Sequence, residues 1–185
     1  MFELAQLYPD LEYVNIGGGI GVDYSHEAQP FDYETFGAEV CTMAREAVNK
    51  RGRPLSLLFE PGRSLVAGSG IFVTRVTDTK WLGDKRFVVV DASVSLFPRP
   101  FHHPGSYHRV QVLDEPAGSG EMVVSSVVGR TTFSRDILGV CSLSADLRIG
   151  SYLAFEDAGA YCESMTSRFL GQREPVCYIS EDQDQ

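Results

Sequence analysis

The stretch PLSLLFEPGRSLVAGSGIFVTRVTDTKWL, residues 54–82, changes architecture partway along. PLSLLFE is an apolar run that stops at a Pro-Gly turn, as a buried strand of a parallel sheet does. Beyond residue 70 the chain turns to short runs rich in Val, Thr and aromatic residues with period-2 alternation, the pattern of an antiparallel sheet. Two architectures are therefore joined in one chain, divided near residue 70.

Upstream, LEYVNIGGG (11–19) reads as a buried strand and PFDYETFGAEVCTMAREAVNKRG (30–52) as an amphipathic helix, with Phe36, Val40, Met43 and Val48 near the 3.6 period and a basic, glycine-closed end. Strand, helix and strand in that order make a βαβ unit of a parallel sheet or β/α barrel. A closed β/α barrel takes eight such units and about 250 residues. Residues 1–70 hold two clear strands, so something must cover the open sheet edge: an N-terminal portion, a partner chain or a swapped dimer. Downstream, GIFVTRVTDTKWL, KRFVVVDAS, YHRVQVL, EMVVSSVVG, SYLAFEDAG and PVCYIS are predicted strands of an antiparallel β domain over 71–185.

Composition narrows the class. The 185 residues are 43% hydrophobic and 22% charged, which suits a globular protein of one or two domains. The net charge is -9 and the sixteen Lys and Arg are scattered, which argues against nucleic acid and anionic membrane as partners. No apolar segment approaches the roughly 20 residues of a membrane span, and the N-terminus lacks signal-peptide character, so a cytoplasmic protein is expected. Cys41, Cys141, Cys162 and Cys177 form no CxxC pair and are expected as buried free thiols, with no metal site.

The two glycine-bearing turns carry the chemistry. Gly17, Gly18, Gly19 and Gly21 follow the first strand, and Glu60, Gly62 and Arg63 follow the second. In parallel α/β folds the ligand site lies at the C-terminal ends of strands, so both turns open on one face. Residues without a Cβ let an anion approach backbone N–H groups, and an arginine adds bidentate hydrogen bonds to phosphate. Each motif alone also fits a plain tight turn.

Taken with NIGGGIG, EPGRSLVAGSG, VVVDAS, the RP of FPRPFHHPGSYH, VVG plus SRD, and EDAGAYCESMTSRFLG, the chain from about Leu11 to Ile179 resembles the fold-type III pyridoxal-phosphate decarboxylases, and within them the diaminopimelate decarboxylase branch. The resemblance implies the C-terminal part of an alanine-racemase-like (β/α)8 barrel followed by an antiparallel β-barrel or sandwich domain. It implies pyridoxal 5'-phosphate as cofactor, its phosphate on the glycine loop and its ring nitrogen facing Glu60. Arg63 would serve the phosphate or the substrate carboxylate, Arg99 a substrate carboxylate, and Tyr161 both cofactor and substrate. Assembly would be a head-to-tail homodimer, or pairing with a chain that carries the N-terminal half.

Departures from the pattern are equally informative. The family's covalent link to the cofactor uses a lysine near the start of the barrel, whereas the lysines here are Lys50, Lys80 and Lys85, none on a barrel strand. Where relatives carry G-P-x-C-E-S-x-D, this chain has Arg130 at the proline, Thr132 at the proton-donating cysteine and Phe133 at the acidic position, while Ser134 and Asp136 are retained. A threonine hydroxyl is a far weaker acid than a thiol, and a phenylalanine cannot pair with a cation, which disfavours a substrate with a distal ammonium. His103 stands where the branch has a substrate-contacting tyrosine, beside His102; exposed loop histidines are the alternative. Asp136 is an interface and site-ordering candidate or a turn-capping aspartate. Three readings follow: an amino-acid α-decarboxylase half, a catalytically inactive homologue that regulates or completes a partner, and third an amino-acid racemase.

Overall fold

The computed structural model describes residues 1–114 and 120–180. The chain divides into two units, Met1–Asp23 with Glu27–Leu65, and Tyr24–His26 with Val66–Gln185.

In the first unit a short helix α1 (Phe2–Ala5) precedes strand β1 (Tyr13–Asn15), helix α2 (Tyr33–Arg51) and strand β2 (Ser56–Leu58). β1 and β2 pair in parallel, Val14 opposite Leu57, so the βαβ reading holds. α2 starts where Asp32 accepts hydrogen bonds from the Thr35 N–H (2.9 Å) and hydroxyl (2.6 Å). It stops at Gly52, whose φ of +68° only glycine adopts without cost and whose N–H returns to Val48 O at 2.9 Å. Phe2, Val40, Ala44 and Ala47 form the buried cluster, with Ile16, Phe36, Leu55 and Leu57 packed on it. Met43, expected in the apolar stripe, is 52% exposed. The buried positions run 40, 44 and 47, with Phe36 partly buried one turn earlier, and the two alanines bring the helix backbone close to the strands, which turns Met43 outward.

The second unit is a six-stranded sheet of order β5-β8-β3-β4-β6-β7, built from β3 (Phe72–Leu82), β4 (Lys85–Val90), β5 (Val110–Val112), β6 (Met122–Val128), β7 (Ile137–Ser144) and β8 (Tyr152–Phe155). Along β4 the even-numbered residues point into the core, the period-2 pattern of a sheet wet on one side. The sheet is mixed, not purely antiparallel, because β4 and β6 run parallel. A parallel pair needs a long crossover, and the connection between β4 and β6 carries helix α4 (Arg99–His102) and β5. Gly139 of β7 faces Val110 of β5, 3.9 Å from an added Cβ, so the two ends of the strand order approach each other. The core gathers Val76, Val88, Val127, Leu138, Leu153 and Phe155 around Phe97, whose ring stacks on Phe72 at 4.7 Å.

Three expectations fail here. β7 lies outside the predicted strands, its signal interrupted by Gly139 next to the polar 130–136 loop. PVCYIS (175–180) has strand composition and forms none; Val176, Tyr178 and Ile179 are exposed, with no strand edge beside them among the described residues. Of the four free cysteines expected inside, Cys41 and Cys177 are exposed. Cys41 lies on α2 and lines an open groove with Ala44, Val48, Leu55 and Leu57, and Cys177 lies in the irregular tail.

Two measurements check this packing. Phe97→Ala removes a fully buried ring and is expected to cost about 3–5 kcal/mol in urea unfolding. The hydrogen bonds from Thr35, hydroxyl first and N–H second, hold the Asp32 carboxyl below the usual carboxylate range. A lowered folded value means that the cap contributes above the unfolded value and is lost as pH falls through the folded one. Asp32→Ala should therefore be less stable than wild type near neutral pH, with thermal melts converging as acid protonates Asp32.

Candidate functional site

In the first unit the glycine turn and Glu60 are built against each other. Ile16 N–H donates to Leu58 O (2.8 Å) and Glu60 N–H to Gly17 O (2.8 Å), which carries the parallel pairing past the strand ends and into the turns. Asn15 closes the arrangement: its Oδ1 accepts from Gly17 N–H at 2.7 Å and its Nδ2 donates to Glu60 Oε1 at 2.6 Å. Sequence reasoning missed Asn15, because an asparagine before glycines reads as a turn former. Gly17 and Gly19 both sit at φ +82°, and a Cβ on Gly18 would collide with the Glu60 carbonyl. Nothing lies within 4 Å of the Cβ positions of Gly17, Gly19 and Gly21, so the outer side of the loop is open. Gly62 accepts at its carbonyl from Leu65 N–H (3.1 Å), and Arg63 begins helix α3 (Arg63–Val66).

This turn fits the phosphate and ring of pyridoxal phosphate on its own geometry. Glycine backbone in left-handed conformation, open on one side, presents N–H donors to an anion. Asn15 orients the Glu60 carboxylate beside it.

The remaining candidates lie in the second unit. Asp136 is 4% exposed; its Oδ1 accepts from Val94 N–H (2.7 Å), and its Oδ2 from the N–H (3.1 Å) and the hydroxyl of Thr131. That is the turn-capping geometry, with the carboxylate directed into its own loop. Phe133 packs edge-on to Phe101 (5.5 Å) and Phe169 (6.3 Å), with Arg135 near both Phe101 and Phe133. Thr132 is exposed and lines an open cleft of ≈ 580 Å³ with Arg130, Gln172 and Arg173. No cysteine occupies this loop, and burial pushes the Cys141 thiol up to about 12, so it is a core residue and no acid at neutral pH.

Arg99 is 4% exposed, with its guanidinium donating to Ser106 O (2.8 Å) and Ser106 Oγ (3.1 Å) and lying 3.3 Å from the Tyr24 ring centroid. It ties the 99–108 loop to residue 24, a cation–π contact that spacing alone does not reveal. His103 caps α4, its N–H donating to Arg99 O at 3.0 Å, and its side chain is exposed. Tyr161 is 45% exposed at φ +57°, a strained conformation for an aromatic residue. The strain is held by its own loop: Ala158 N–H donates to Gly70 O (2.7 Å) and Gly159 N–H to Ala67 O (2.9 Å), and a Cβ on Gly159 would collide with Val66 O. The structure thus brings Gly17, Gly18, Gly19 and Glu60 together in one unit, and Thr132, Phe133 and Asp136 in one loop of the other.

A paired substitution tests the glycine turn. Gly18→Ala forces the two turns apart and should cost roughly 1–3 kcal/mol in urea unfolding, as overpacking does. Gly21→Ala, with open space at its Cβ, should unfold like wild type.

Residues 24–159 match the family model for the pyridoxal-dependent decarboxylase C-terminal sheet domain. Over 178 residues the chain is 38% identical to a probable chloroplastic diaminopimelate decarboxylase of Oryza sativa, covering 94% of this chain and 34% of that protein. It is 37% identical to the diaminopimelate decarboxylase of Helicobacter pylori over 164 residues, 86% of this chain and 37% of that one. The crystal structure of diaminopimelate decarboxylase from M. jannaschii in complex with L-lysine superposes with a TM-score of 0.82 at 27% identity, over 94% of this chain and 39% of its own. The chain spans well under half the length of these relatives, and no helix among the described residues is long and apolar enough to cross a membrane. With the glycine turn, the mixed sheet and this match in agreement, the chain belongs to the pyridoxal-dependent decarboxylase family and carries its C-terminal sheet domain.

Proposed function

We propose that this chain supplies the C-terminal half of a pyridoxal-phosphate-dependent α-decarboxylase acting on an amino acid or amino-acid conjugate. The observation that carries the reading is the closed set of hydrogen bonds among Asn15, Gly17 and Glu60 at the C-terminal ends of two parallel strands. What pyridoxal phosphate supplies when bound is an electron sink for the carbanion left by departing CO₂.

The chain's own residues prepare that chemistry. Backbone N–H groups of Gly18, Gly19 and Gly21 hold the phosphate, while Gly17, its own N–H engaged by Asn15, sets the turn and Gly62 keeps the neighbouring turn tight. Glu60, oriented by Asn15, holds a proton on the ring nitrogen through a charge-assisted hydrogen bond. Arg63 pairs with the phosphate or the substrate carboxylate, and Tyr161 borders cofactor and substrate. Arg99 orders the loop that carries His103, and Asp136 orders the loop that carries Thr132 and Phe133. The lysine that anchors the cofactor comes from a barrel segment that also extends the β1–β2 pair, carried by the N-terminal half of the same or of another polypeptide.

Thr132 favours a second reading, a non-catalytic homologue that binds the cofactor or completes a partner, because its hydroxyl is a poor proton donor. Both readings require the glycine turn to bind. Titrating the chain with pyridoxal phosphate and following its absorbance should show saturable binding that is lost in Gly18→Ala and weakened in Glu60→Gln. Absence of saturable binding, or indifference to both substitutions, overturns the proposal. CO₂ release from amino acids by the chain paired with a lysine-bearing barrel segment then separates the enzyme from the silent homologue.

A further inference from the structure

The amide of Asn15 is symmetrical in shape but not in chemistry, and its neighbours decide which way it points. Gly17 N–H can only donate, so the atom 2.7 Å from it is the amide oxygen. The amide N–H₂ is then the group 2.6 Å from Glu60 Oε1, and because it too can only donate, Oε1 must accept. A proton on Oε1 would point at another donor. Glu60 is thereby held as an acceptor on its Asn15 side, and Oε2, which takes no hydrogen bond from the described residues, is the oxygen left to a ligand.

A third bond joins these two into a ring. Glu60 N–H donates to Gly17 O at 2.8 Å, so Asn15 to Gly17, Gly17 to Glu60 and Glu60 back to Asn15 form a closed circuit across the ends of β1 and β2. Asn15 is the last residue of β1 and pairs with Leu58, two residues before Glu60. The whole circuit lies within the first unit. Asn15 and Glu60 are both exposed, so hydrogen bonding and not packing sets the direction of their side chains. Breaking one bond of the ring therefore frees the Glu60 carboxylate to rotate.

We propose that Asn15 is the positioning residue of the cofactor site: one amide fixes the glycine turn at Gly17 and holds Glu60 as the acceptor for a protonated ring nitrogen, so that both ends of the ligand meet one linked unit. The identity of the ligand rests on the decarboxylase reading; the ring of hydrogen bonds does not. An amide meets a fixed donor at one atom and a carboxylate at the other, which no other side chain of this length does. Aspartate has the same shape and would keep the Gly17 bond, but it would set two carboxylates at hydrogen-bond distance, competing for one proton. What the site requires is the N–H₂ itself.

Asn15→Asp is the decisive variant, because it removes the donor and keeps the acceptor that shapes the turn. Hydrogen exchange in the intact chain without cofactor checks this first: Gly17 N–H should be protected in wild type and in Asn15→Asp, and should exchange faster in Asn15→Ala. Titration with pyridoxal phosphate, followed by absorbance, should then show about tenfold weaker binding by Asn15→Asp at about pH 8, the loss of one charge-assisted hydrogen bond. Its deficit relative to wild type should shrink toward about pH 6, where the paired carboxylates keep a proton and an O–H replaces the lost donor. Added to Glu60→Gln, Asn15→Asp should cost nothing further, because the new amide donates to the new carboxylate and the ring closes with its polarity reversed. Wild-type affinity in Asn15→Asp, a deficit unchanged by pH, or losses that add in the double variant overturns the proposal. Rapid Gly17 exchange in wild type overturns it as well, since the ring is then not formed. Protection of Gly17 without any binding of pyridoxal phosphate by wild type removes the cofactor reading and the positioning role with it, and leaves the hydrogen-bonded ring standing.

Discussion

The Asp136 carboxylate is the constraint on which the second unit's functional loops depend. A buried charge is tolerated only where hydrogen bonds replace its water, and here Val94 N–H, Thr131 N–H and the Thr131 hydroxyl do so. Those bonds fasten the 129–136 connection to the turn after β4, while Asp136 N–H and C=O bond Phe133 O (3.0 Å) and Gly129 N–H (2.8 Å). Gly129 is glycine because a Cβ there would run into that carboxylate. One buried side chain thereby sets where Arg130, Thr132 and Phe133 stand.

Close backbone approach plays the corresponding part elsewhere. In the first unit Gly18 lets the turn after β1 press on the Glu60 carbonyl, and in the second Gly159 presses on Val66 and Ala67 while Gly70 faces Gly159. Both approaches bring a polar side chain into a defined orientation: Glu60 through Asn15 in one case, Tyr161 through its left-handed backbone in the other. Strain at Tyr161 persists because the Ala158 and Gly159 hydrogen bonds over-determine the loop.

In the 130–136 loop Asp136 supplies the frame, and Arg130, Thr132 and Phe133 are what the frame displays. A scaffold held in this way leaves specificity to the displayed side chains.

Elements with a strong local signal were legible in the sequence. α2 announced itself by its apolar period and its basic, glycine-closed end; the βαβ order, the change near residue 70 and five of the six strands of the sheet followed from period and turn residues, while the Asp32 cap emerged from the structure. The glycine turn and Glu60 were legible as well, because positive φ and close approach leave glycine in the sequence as their record. Tertiary structure alone decided the rest. Strand order, with β4 parallel to β6, depends on pairing between segments far apart in the chain, and β7 is a strand because β6 accepts it, despite Gly139. PVCYIS lacks such a neighbour among the described residues and stays irregular. Asn15, Tyr24 and Gln172 acquire meaning only through partners brought close in space, as Arg99 does over the Tyr24 ring. Hydrogen bonds and ion pairs act over a few ångströms of space, whatever the number of residues between them, so local sequence pattern carries no trace of them.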